Sequence, residues 1–67
     1  MNEEVVVVVE CPSGAVRFVA TDELWWETFD GELCVFRERK GDPFILAEFA
    51  VGGWLSVRYE NLPAVES

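Results

Sequence analysis

Chemistry in this chain has to come from carboxylates, two thiols and pairs of aromatic and cationic side chains, because its 67 residues contain no histidine. That absence removes the commonest general base, the commonest metal ligand and the usual partner of a serine or cysteine nucleophile. Serine occurs only at Ser13, Ser56 and Ser67, none in a nucleophile-elbow pattern. Cys11 and Cys34 are separated by 22 residues with no further Cys or His to complete a tetrahedral zinc site. Ten Glu and three Asp offer carboxylate pairs by folding, but no D-x-D-x-D-G spacing marks a calcium loop, and Gly52-Gly53 reads as a turn rather than a phosphate cradle. The inventory predicts a protein that is not an enzyme and uses no metal or cofactor.

Binding residues are better represented. Trp, Tyr and Arg dominate interface energetics, and the same types stack on nucleobases or hold small aromatic ligands. Trp25, Trp26, Trp54 and Tyr59 are the aromatic candidates, and Arg37, Arg39, Lys40 and Arg58 the cationic ones. Trp26 with Arg37, and Trp54 with Arg58, would each share a hairpin face and could flank a shallow site. The plainer reading of each pair is a packed Trp with an arginine stem along its edge.

The net charge of −8 disfavours a general electrostatic grip on nucleic acid or anionic membrane and allows basic partners. Three of the five cations fall within "RERK", residues 37–40, so the molecule is acidic with one small basic spot. That spot reads as a solvated loop end before it reads as a recognition patch. The N-terminal segment has no cationic leader, and its run of five valines is too short for a signal-peptide core or a membrane span. A cytoplasmic protein is expected, and with it free, buried thiols rather than a disulfide.

Short β-prone runs separated by turn signals predict one all-β domain over residues 1–62 with a loose tail over 63–67. The architecture is a small antiparallel barrel of SH3-like kind, or a six-stranded sandwich, built from consecutive hairpins. Glu4–Glu10 shows no alternation and reads as buried on both faces or paired in an interface. It joins Ala15–Ala20 through Pro12–Gly14. Thr21–Leu24 is expected to form one short helical turn. Asp30-Gly31 is the strongest local signal, a two-residue type I′ turn that sets Trp25 opposite Phe36 and Trp26 opposite Val35. Lys40–Pro43 turns the chain into a strand over Phe44–Val51, and Gly52-Gly53 is expected to return it as a hairpin, with Trp54–Glu60 pairing along that strand.

Adjacent side chains in a strand point to opposite faces, so Trp25 and Trp26 cannot both enter one core unless a bulge intervenes. Covering the second Trp with another chain is the favoured solution, and the five-valine strand is a second candidate contact if it lies at an edge. These features predict a small acidic binding protein, a homo-oligomer that occupies or inhibits a partner protein with a basic surface, as an inhibitor of phage type or a mimic of nucleic acid would. The alternatives are an oligomer that sequesters a small anionic ligand or nucleotide at Trp and Arg sites between subunits, and a ring-forming RNA-binding β-protein. The second of these is disfavoured by charge.

Overall fold

Five consecutive valines make the first strand, and their burial decides the architecture. The computed structural model describes residues 4–60, which form β1 (Val5–Cys11), β2 (Gly14–Ala20), β3 (Glu23–Phe29), β4 (Glu32–Arg39), β5 (Asp42–Phe49) and β6 (Ser56–Tyr59). These make two antiparallel three-stranded sheets, ordered β2-β1-β6 and β3-β4-β5, that face each other as an open sandwich and do not close into a barrel. The tail expected over 63–67 lies outside the described residues. Among the described residues no helix is long and apolar enough to cross a membrane.

β1 is the middle strand of its sheet, and Val7, Val8 and Val9 are 0%, 1% and 0% exposed. Val7 and Val9 turn inward to a core completed by Ala20, Leu24, Leu33 and Val35. Val8 turns outward between Arg17 of β2 and Arg58 of β6. Arg17 reaches Glu60, and Arg58 Nη1 donates to Glu10 Oε2 at 3.0 Å, so an ion-paired arginine flanks Val8 on each side. The five-valine strand is therefore buried on both faces, as its lack of alternation predicts. It is not the bare edge that a self-pairing contact would need, since β2 and β6 occupy both its sides.

The last strand corrects the expected chain of hairpins. Gly52 has a φ of 83°, and the Gly53 amide donates to the Ala50 carbonyl at 2.8 Å, so the turn is centred on Val51-Gly52, one residue earlier than expected. The chain then leaves β5 instead of running back along it. Leu55 N–H donates to the Glu10 carbonyl at 2.6 Å, Glu60 N–H to the Val6 carbonyl at 2.8 Å, and β6 pairs with β1 between them. The physical reason is the open edge of β1: its peptide groups sit beside a dry core, and leaving them unpaired would cost about 1–3 kcal/mol each.

The earlier turns follow local rules. Cys11 pairs with Gly14 around Pro12-Ser13, and Gly14 has a φ of 137°. Asp30 and Gly31 have φ of 51° and 86°, as a type I′ turn requires, and the β3–β4 register matches the expected one at every pair. Lys40-Gly41, with φ of 55° and 83°, is a second turn with both central residues left-handed, so β5 starts at Asp42 rather than Phe44. Thr21 and Asp22 form a bend and Glu23 already belongs to β3, so the expected helical turn is absent. The Asp22 carboxylate takes the Arg37 guanidinium instead of capping a helix.

Gly31 carries one sharp constraint. A Cβ there would lie 3.2 Å from Val51 Cγ2 as well as suffering the positive φ. Gly31→Ala should therefore cost about 1–2 kcal/mol, read as a lower urea midpoint with an unchanged slope.

Candidate binding face

Trp25 and Trp26 part company at the β3–β4 hairpin, and they meet different surroundings. Trp26 turns inward against the core, its ring 4.8 Å from that of Tyr59 and tilted by 48°. The Tyr59 hydroxyl donates to the Leu24 carbonyl at 2.9 Å, which ties β6 to the opposite sheet. Arg37 also lies on this face, opposite Leu24, but its Nε and Nη2 donate to Asp22 Oδ1 at 3.2 and 3.1 Å. The shallow site expected between Trp26 and Arg37 is thus filled by the chain's own groups.

The other expected pair is not brought together. Trp54 packs against the core and its Nε1–H donates to the Gly31 carbonyl at 3.0 Å, whereas Arg58 points out on the far side of the β2-β1-β6 sheet. Arg39 and Lys40 stand at the exposed tip of the β4–β5 turn and form no ion pair with the described residues. The remaining three cations, Arg17, Arg37 and Arg58, each hold a carboxylate.

Trp25 faces out. Its indole stacks on Phe36, with centroids 5.6 Å apart and planes at 16°, and Phe36 pairs in turn with Ile45, which is 48% exposed. One apolar row therefore crosses all three strands. On one side of it runs Glu27, Cys34 and Glu48; on the other run Glu23, Glu38 and Pro43. Glu32 and the half-exposed Phe29 extend the same face toward the Asp30-Gly31 turn. None of these five glutamates makes an ion pair with the described residues.

A bulge puts Glu48 on the same face as the third member of the row. Val35 pairs with Ala47 but Phe36 pairs with Ile45, leaving Leu46 as the extra residue of β5. Without it, the register set at the Lys40-Gly41 turn would place Glu48 opposite Leu33 on the inner face. The bulge lies between β4 and β5 and leaves the β3–β4 ladder continuous, so it does not bring both tryptophans into one core.

The two thiols are free and lie on different sides of the β3-β4-β5 sheet, Cys11 against the core and Cys34 half-buried on the outer face. Partial burial pushes the Cys34 thiol above its ordinary 9.0, and Glu48, Glu32 and Glu27 add to the rise. Cys34 should alkylate more slowly at pH 8 than a thiol in an unfolded control, and Glu48→Gln should speed it several-fold. An equal rate in that variant would remove the glutamate from the account. Because the folded value is the higher one, the neutral thiol's contribution to stability is complete below the ordinary value and is lost as pH rises through the folded one.

The chain matches no family model, no curated protein sequence and no solved structure. The Asp30-Gly31 register with strand alternation sets Trp25, Glu27, Phe29, Glu32, Cys34 and Phe36 on one face, of which Trp25 alone is among the candidates chosen for an aromatic ring with an arginine nearby. The alternation of aromatic and acidic residues in "WWETFDGELCVF" was the available signal. Ile45 and Glu48 were hidden by the bulge.

Proposed function

We propose that the protein is a non-enzymatic binding module that occupies a basic partner protein through the outer face of the β3-β4-β5 sheet. The observation that carries this reading is the apolar row of Trp25, Phe36 and Ile45 set between glutamates that have no counter-charge in the described chain. Apolar contact supplies affinity and the carboxylates select the charge of what approaches. Glu23 lies directly opposite Glu38, a like-charge pair that lowers stability, and a cationic partner would relieve it. With a net charge of −8, the natural target is a surface that otherwise holds an anion, and inhibition by charge mimicry is the form such binding would take.

A short peptide alternating arginine and leucine is a suitable probe, titrated while the backbone amides of β3, β4 and β5 are followed by NMR. Shifts confined to the outer-face rows are expected, with affinity falling about tenfold between roughly 50 and 500 mM salt. Shifts centred on the β2-β1-β6 sheet, or affinity indifferent to salt, would sink the reading.

Self-association belongs to the same proposal but to other residues. Two copies of the acidic face would repel each other, whereas Val51 and Leu55, each 66% exposed, lie off it and offer a second copy an apolar contact. Native mass should then show a discrete oligomer that persists at molar salt. A monomer at every salt would remove self-association and leave the basic partner standing. Sequestering an anionic ligand has less support, because Arg37 and Arg58 are already engaged by carboxylates, and RNA binding would rest on Arg39 and Lys40.

A further inference from the structure

At the end of the acidic face where β3 begins, the gap between the two sheets opens into a cleft of about 450 Å³. Val5, Asp22, Glu23, Leu24, Trp25 and Tyr59 line it. Its size falls within the usual range for side-chain and small-ligand sites. Three of its features specify an occupant. Val5, Leu24 and the Tyr59 ring give apolar walls. Trp25 adds a second aromatic residue to the lining, which no β4 residue joins.

The third feature is the arrangement of carboxylates. Glu23 makes no ion pair with the described residues. Both guanidinium contacts from Arg37 go to the same oxygen of Asp22, Oδ1, and among the described residues Oδ2 accepts no hydrogen bond. A second planar donor can therefore approach Asp22 without displacing Arg37.

We infer that this cleft receives a guanidinium group, the side chain of an arginine on the bound partner. Guanidinium fits better than ammonium for physical reasons. It is planar, stacks on an indole, is weakly hydrated and presents several donors in one plane, enough to reach Glu23 and Asp22 together. The three methylenes of an arginine stem match the walls formed by Val5, Leu24 and Tyr59. The inference deepens the basic-partner reading and rests on it: the outer face gives the broad contact, and the cleft chooses arginine over lysine.

The test uses three peptides of one sequence, each with a single arginine, lysine or citrulline between neutral residues, titrated against the full chain. The three indole N–H resonances report separately. The arginine peptide should move the Trp25 signal saturably and leave Trp54 in place. Lysine should bind several-fold more weakly, and uncharged citrulline should leave the signal unmoved. Glu23→Gln should weaken the arginine peptide about tenfold, the effect of losing a hydrogen bond between charged groups. Asp42→Asn, outside both the cleft and the acidic rows, should leave it unchanged. Equal responses to arginine and citrulline, or an unaltered affinity in Glu23→Gln, would overturn the inference. If the arginine–leucine peptide still binds the outer face while Glu23→Gln changes nothing, the cleft fails and the face survives. If neither peptide binds, both fail.

Discussion

Trp26→Ala should unfold much of the protein under conditions where the wild type is folded. A buried Trp replaced by Ala costs about 3–5 kcal/mol, and the half-buried position of Trp26 places it near the lower end of that range. For a domain of 67 residues, total stability is on the order of 3–10 kcal/mol, so a loss of this size consumes a large part of it. The damage extends beyond one cavity. Trp26 backs the Tyr59 ring, and Tyr59 holds β6 to the carbonyl of Leu24, so the sheet-to-sheet tie loosens with it. Urea melts followed by far-UV circular dichroism would measure the loss. A midpoint within a few tenths molar of wild type would mean that Trp26 does not belong to the core.

Trp25→Ala, one residue away, should do the opposite. The melt should shift little, because the indole lies on the outer face and its loss opens no internal cavity. Binding of the arginine–leucine peptide should fall by at least about 2 kcal/mol, roughly thirtyfold in Kd, the effect of removing a central aromatic anchor. Retained affinity would move the contact elsewhere, and a large loss of stability would make Trp25 a structural residue. The contrast between neighbours is the informative measurement, since one peptide bond separates a stability phenotype from a binding phenotype.

Local chemistry was the legible part of this fold. Asp30-Gly31 fixed seven cross-strand pairs because a turn that demands two positive φ values admits few registers. The valine run announced burial on both faces because it has no polar alternation to offer water. The partner of β1 was not legible. Gly52-Gly53 looks like a hairpin from nearby residues, but the choice between β5 and β1 as the mate of β6 is a competition over long-range contacts, and the buried edge of β1 wins it. The candidate site was half visible for the same reason. Trp25, Phe36 and the glutamates of β3 and β4 fall within one hairpin, whereas Ile45 and Glu48 share that face only through a bulge. Pairing of Arg37 with Asp22 and of Arg58 with Glu10 also escaped notice, since charges placed by folding cannot be matched along the chain.

The route of β6 back to β1 has a consequence during synthesis. β3, β4 and β5 are consecutive and can assemble as soon as residue 49 has emerged, each strand finding the one just made. The valine strand is made before these three, yet its second edge is sealed only when Ser56–Tyr59 arrive. Until then the nascent chain carries a β-branched strand with one open flank, the kind of template on which neighbouring chains add. Early completion of the acidic β3-β4-β5 sheet would protect that interval, because five glutamates on one surface repel their counterparts on a second copy.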